Sequence, residues 1–174
     1  MRCNLFVPKQ AVGANLIYFD LFNATGSNRD LKILMVQPVV SGAVAVVGTL
    51  GVDLFLNRTT AVGTGGTAAD ANGSSLTAAT ITYADHSQAL VPSITARLTP
   101  TGGATAGAVL SWTCVFTEET ADATYNNVKD MARHGMFDLP PITVPQNTGI
   151  SVVQGSVASV GNIGFNVVFD MVHK

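Results

Sequence analysis

Apolar positions along this chain recur mostly with a period of two, in short runs punctuated by glycine, proline, asparagine and serine. That is the pattern of strands joined by turns. Segments 15–22 (NLIYFDLF), 31–40 (LKILMVQPVV), 44–56, 76–83, 93–98, 109–116 (VLSWTCVF), 142–144, 150–153 and 157–172 read as strands. In 31–40 the alternation sets Leu31, Ile33 and Met35 against Lys32, and Pro38 marks an edge or a bend, because proline has no N–H to give to a ladder. In 109–116 Leu110, Trp112, Cys114 and Phe116 share one face, and Val109, Ser111, Thr113 and Val115 the other. Trp112 is expected in the core. Segments 59–75 and 99–108, rich in Gly, Ala and Thr, have little to bury and read as surface loops.

The period changes once. Ala121, Tyr125, Val128 and Ala132 form a helical stripe, with Thr117 or Thr120 as N-cap, early acids (Glu118, Glu119, Asp122) and Gly135 as the stop. A short amphipathic helix is therefore predicted around 118–134.

Residues 39–56 (VVSGAVAVVGTLGVDLFL) and 152–169 (VVQGSVASVGNIGFNVVF) are near copies. Val39, Val40, Gly42, Val44, Ala45, Val47, Gly48 and Gly51 recur as Val152, Val153, Gly155, Val157, Ala158, Val160, Gly161 and Gly164. One piece of β architecture is used twice, with glycines where a strand would bulge or turn. The two arms are expected to be adjacent or symmetry-related. A repeat array would need three or more copies at short period, so a jelly roll suits the arrangement better. The expectation is an all-β chain, a single β-sandwich domain over 1–174, jelly-roll-like, with about nine or ten strands and the one helix.

Charge alters the picture more than size does. Nine Lys+Arg and eleven Asp+Glu make 11% of the 174 residues charged, against roughly 25% in an ordinary soluble domain. Mean hydropathy is +0.35. Few charges leave little to keep surfaces apart in water, which points to a subunit that buries much of its exterior against neighbours. A net charge of -2, with the nine basic residues scattered, argues against nucleic acid as a partner. The apolar stretch 39–56 is interrupted by Asp53 and weakened by Gly42, Gly48 and Gly51, so no membrane span is expected. No signal-type apolar run is read at the N-terminus.

Candidate chemistry is sparse. Cys3 and Cys114 form no CxxC pair and are expected as buried small apolar residues rather than a disulfide. His86, His134 and His173 lack metal-ligand spacing. Glu118 and Glu119 read as first-turn helix acids, and the Thr-Gly-Gly tracts at 64–66 and 101–103 lack the Lys-Ser/Thr ending of a phosphate loop. No catalytic residue, cofactor, metal or small-molecule substrate is expected. A cupin-like enzyme would need histidine and glutamate clustered on strands, and the strands read above carry no interior histidine.

The run SGAVAVVGTLGVDLFLNRTTAVGTGGTAA and the closing QGSVASVGNIGFNVVFDM, within a low-charge β domain, resemble small virion structural proteins of tailed bacteriophages, most of all the auxiliary head proteins that cement or decorate capsids. The resemblance spans residues 30–115 and 150–172. It implies a non-enzymatic subunit made in the host cytoplasm and carried on the capsid surface of the virion, whose partners are itself, as a trimer, and the major capsid protein. The contacts expected on this basis are Val62, Thr64, Thr67 and Asn72 in the first loop, Thr101 and Thr105 in the second, and Arg2, Leu5 and Phe6 at the N-terminus. The alternative is a tail or fibre β domain that recognises a host surface glycan or protein.

Overall fold

A computed structural model of the chain describes residues 1–41, 50–71, 80–83, 93–102, 107–117, 131–133 and 140–174. They form thirteen strands, and among the described residues there is no helix. In chain order the strands are β1 (Arg2–Ala11), β2 (Ile17–Asn23), β3 (Arg29–Ser41), β4 (Leu50–Thr59), β5 (Thr67–Ala68), β6 (Asp70–Ala71), β7 (Thr80–Tyr83), β8 (Ile94–Leu98), β9 (Val109–Thr117), β10 (Ala132–Arg133), β11 (Ile142–Val144), β12 (Thr148–Gln154) and β13 (Asn162–His173).

The chain is all-β and builds two sheets, antiparallel throughout apart from a two-residue parallel pairing of β6 with β7. The first sheet runs β10-β3-β13-β1-β7-β6, with β11 also on β3, and the second runs β5-β8-β2-β12-β4-β9. The first four strands alternate between the sheets. Pairing then nests from the two ends inward: β1 with β13, β2 with β12, β3 with β10 and β11, β4 with β9. The segment between β4 and β9 adds β8 and β5 outside β2, and β7 and β6 outside β1.

One apolar cluster draws on both sheets. Every second residue of a strand faces the same way, and the buried sets follow that rule: Cys3, Leu5 and Val7 in β1; Val52, Leu54 and Leu56 in β4; Ile94, Ala96 and Leu98 in β8; Ile163, Phe165, Val167, Phe169 and Met171 in β13. Burying each large aliphatic or aromatic side chain is worth about 1.5–3 kcal/mol. The ring of Phe165 joins the sheets, with centroids 5.2 Å from Tyr18 and 5.5 Å from Phe19.

Bulges reset the alternation at four places among the described residues, the one in β9 falling at Leu110. Leu34 is the extra residue of β3 opposite Val168 and Phe169, so Ile33 and Val36 are buried while Met35 is only half-buried. The expected Leu31–Ile33–Met35 face is corrected accordingly. Tyr18 is the extra residue of β2 opposite Val152 and Val153, which lets Tyr18 and Phe19 both reach Phe165. Pro8 and Lys9 together oppose Gly164, where a Cβ would sit 2.7 Å from the Val7 carbonyl oxygen; only glycine fits.

Other expectations need correction. The N-terminal residues, taken as an arm meeting neighbours, are an interior strand, and Leu5 is fully buried in the core, out of reach of any partner. The last strand starts at Asn162, not at 157, because 155–161 is a loop. The helix expected over 118–134 has residues 118–130 and 134 outside the described residues, while Ala132 and Arg133 are extended and pair with Val36 and Met35 of β3. Of the two expected N-caps, Thr117 is the last residue of β9 and Thr120 lies outside the described residues. The edge expected at Pro38 needs no correction: among the described residues β3 is paired there with β13 alone, its pairing with β10 reaching no further than Val36.

The duplicated segments do meet. Val39, Val40 and Ser41 pair with Gly164, Ile163 and Asn162, while Leu54, Phe55 and Leu56 pair with Gln154, Val153 and Val152. Each copy carries the chain from one sheet to the other. The centre of the first copy, 42–49, lies outside the described residues.

Candidate functional site

At one end of the molecule the 155–161 loop is fastened by a single buried side chain. Gln154, 2% exposed, closes β12. Its Oε1 accepts from the Gly13 N–H at 2.9 Å and from the Tyr18 hydroxyl at 2.8 Å, and its Nε2 donates to the Val157 carbonyl at 3.0 Å. Backbone bonds complete the frame: Val12 N to Gly161 O at 3.0 Å, Asn15 N to Gly155 O at 3.0 Å, and Gly155 N to Asp53 O at 2.8 Å. On this braced loop Val157 and Val160 remain 67% and 44% exposed. Apolar side chains held outward by satisfied backbone are available for contact without an ordering cost.

The outer face of the second sheet carries another exposed apolar group. Val153, Phe55 and Trp112 stand in one cross-strand row of β12, β4 and β9. Trp112 is 58% exposed, so its expected place in the core is corrected: Thr113 and Val115 point inward and Trp112 outward. From Ser111 onward the alternation holds, but Leu110 is an extra residue opposite Leu56 and Asn57, so Val109 is exposed and Leu110 packs against the core; the face of an edge strand that meets the core depends on its neighbour. Asp53 and Cys114 oppose each other two positions along. Burial, then the Asp53 carboxylate, raises the Cys114 thiol above its usual range. Both cysteines are free, as expected, with Cys3 buried and Cys114 only half-buried.

Past Leu98 of β8, where Thr99 N–H donates to the Tyr18 carbonyl, the two glycine-rich loops come together. Thr64 N donates to Gly102 O at 2.7 Å and Thr101 N to Thr64 O at 2.9 Å. Of the expected contacts, Val62 is 41% exposed, Thr64, Thr67, Thr101 and Arg2 are exposed, and Phe6 is half-buried. Asn72 and Thr105 lie outside the described residues. Arg2 is engaged on the first sheet's outer face, where Nε and Nη2 each reach Asp170 at 3.1 Å. Further along that face Phe6, Pro8, Val39, Gly164 and Asn166 line a shallow apolar groove of about 510 Å³.

Beneath the 60–66 segment lies Asp20, fully buried on the outer face of β2. Gly63 N–H donates to its Oδ2 at 2.8 Å, and Thr59 Oγ1 lies 3.5 Å from its Oδ1. Burial pushes the carboxyl up to about 6, against the Gly63 and Thr59 hydrogen bonds and the field of Arg97. Sequence reasoning passed over Asp20 and Gln154. The signal for the first was a lone acid inside the apolar run NLIYFDLF; the second left none.

Because the folded chain binds this proton more tightly than the unfolded one, the stability tied to Asp20 is complete below about pH 4 and is lost as pH rises through about 6. Stability from urea denaturation should therefore be higher at about pH 5 than at about pH 7.5, by about 1 kcal/mol, and Asp20→Asn should flatten that slope. Cys3, raised to about 11 by burial, and Tyr18, raised further by burial, titrate outside this window. Stability that fell on going from neutrality to about pH 5 would contradict the assignment.

Among the described residues no three of His, Cys, Asp or Glu gather as metal ligands, and no helix is long and apolar enough to cross a membrane. Comparison of the chain with models of protein families, with curated proteins and with solved structures finds no match.

Proposed function

We propose that this chain is a jelly-roll β-sandwich subunit of a bacteriophage particle, without enzymatic activity, that self-associates as a trimer and binds the major capsid protein lattice as a cement or decoration protein on the capsid surface. The nested pairing supports the jelly roll: first strand with last, second with next to last, and so inward, with the chain passing between sheets at each step. Such double-sheet folds are common in viral capsid and lectin domains. The observation that carries the functional reading is the placement of Val157, Val160 and Trp112 outside the core, with Val62, Val109 and Val172 also exposed among the described residues. With only 11% charged residues, little opposes association. Weak contacts multiplied over a lattice give avidity.

The test is sedimentation velocity of the purified protein over a wide concentration range, with co-sedimentation on heads that lack it. Association and head binding are expected. Trp112→Ser should weaken association while costing under about 1 kcal/mol of stability, since the ring is exposed. A protein that stays monomeric at high concentration and never pellets with heads sinks the reading.

A second reading is favoured by the exposed Trp112 itself: a tail or fibre β domain that stacks a host surface glycan on the indole beside Asp53. Clear hits on a glycan array, lost in Trp112→Ser, would put it first.

A further inference from the structure

Among the described residues, three of the four sheet ends close on a strand of two residues: β10 and β6 in the first sheet, β5 in the second. The fourth end is β9, nine residues long and paired on one side only, with β4. β3 of the other sheet passes close to it but makes no ladder with it among the described residues. An end strand presents a row of N–H and C=O groups that another strand can satisfy, and natural sheets guard such rows with short strands, charges or proline. The sequence of β9, VLSWTCVFT, holds no charge and no proline. Its irregularity is the extra residue Leu110 near the start, after which residues 111–117 pair with β4 in unbroken register. Val109 and Trp112 are exposed, so this border of the outer face is open.

The backbone fixes the class of occupant: an extended strand. Charges along an edge commonly select a different protein as partner, and β9 has none to offer. Pairing with its own copy, antiparallel about a two-fold axis, requires only that like groups do not collide. Laid against itself in full register, the regular run 111–117 brings Cys114 opposite Cys114 of the second copy. On β4, Asp53 opposes Cys114. The two Asp53 positions are then three strand spacings apart, about 14 Å, beyond the screening length of physiological salt. Their repulsion does not oppose the pairing.

We propose that β9 is a docking edge for a second copy of this chain, so that the second sheets of two copies merge into one continuous sheet across a two-fold axis at Cys114. Trp112 of each copy then stands on the outer face two positions from the axis. The proposal rests on the self-association proposed above and names a two-fold contact separate from the one that builds the trimer.

The experiment is thiol trapping in the full chain with diamide, which takes up the two thiol hydrogens as the disulfide forms. Covalent dimer is read on a non-reducing gel, beside sedimentation velocity of the same samples. Opposite residues of an antiparallel pair have Cβ atoms about 4.5–5.5 Å apart, close to the span of a disulfide. The folded chain should therefore trap about tenfold faster, or more, than the chain unfolded in urea. Cys114→Ser should abolish trapping, since Cys3 is buried in the core. Trp112→Cys in the Cys114→Ser background should trap little, because this register sets the two thiols four residues out of step, about 13 Å. Trp112→Lys, which puts a charge on the edge, should raise the dimer Kd about tenfold with the fold intact, the ring being exposed. A chain that associates in sedimentation yet does not trap at Cys114, or traps equally well through Trp112→Cys, overturns the edge and leaves self-association standing. A chain that stays monomeric at every concentration overturns both.

Discussion

Phe165→Ala is expected to remove about 3–5 kcal/mol of stability, the range for truncating a buried aromatic and leaving its cavity. The ring is 1% exposed, on the strand flanked by both β1 and β3, and touches Tyr18 and Phe19 of the other sheet. Loss of the ring removes apolar area, edge-to-face contact and the filling between layers together. Val7 and Pro38 pair with it through the backbone, so the sheet itself cannot close over the gap. Urea denaturation checks this: the midpoint should fall sharply with the slope unchanged, and Phe165→Leu should recover much of the loss. A cost below about 1 kcal/mol would mean that the sheets do not meet at this ring.

Gln154→Ala should cost about 2–4 kcal/mol, since it orphans three polar groups at once: the Gly13 N–H, the Tyr18 hydroxyl and the Val157 carbonyl. Water can reach the loop end of this network but not the buried Tyr18 hydroxyl, which keeps the total below the sum of three full penalties. The loss should appear in amide exchange as faster opening of residues 12–16 and 155–161, ahead of the core strands. Val157→Ser is the control, with almost no change in stability because the side chain is 67% exposed. If Gln154→Ala left exchange in both loops unaltered, the bracing role would be wrong. Under the particle reading, this variant also disorders Val157 and Val160 and should weaken head binding along with stability.

Much of the architecture could be read from particular residues. The alternation of Ile163, Phe165, Val167, Phe169 and Met171 survives intact because β13 is paired on both sides and meets no bulge within that stretch on its own strand. The duplicated valine-glycine segments were legible as paired structure, and their arms do pair. Where reading failed, a partner decided. Leu34 and Tyr18 are extra residues only in relation to the strand opposite, so nothing in LKILMVQPVV or NLIYFDLF announces that Met35 turns outward or that Tyr18 turns in. Arg2–Ala11 was missed as a strand because proline and polar residues interrupt its pattern, which β13 and β7 on either side complete. Composition marked 59–75 and 99–108 as surface loops, yet Thr59 ends β4 buried, Gly63 is buried on Asp20, 67–68 and 70–71 are short strands, and 72–75 and 103–106 lie outside the described residues; the meeting of Thr64 with Gly102 left no trace in composition.

By itself the chain's composition and spacing determined an all-β molecule, poor in charge, whose duplicated arms belong together, because strand periodicity and glycine placement are local properties. The tertiary structure decided which face of each strand meets the core, which acid is sealed from water and which amide braces a loop, because burial belongs to a pair of surfaces and not to a segment. Asp20 makes the point: the same carboxyl on an exposed strand would be an ordinary anion, and burial beneath residues 60–66 raises its hold on the proton against the Gly63 hydrogen bond. A carboxyl found to titrate in the ordinary acid range would remove that distinction.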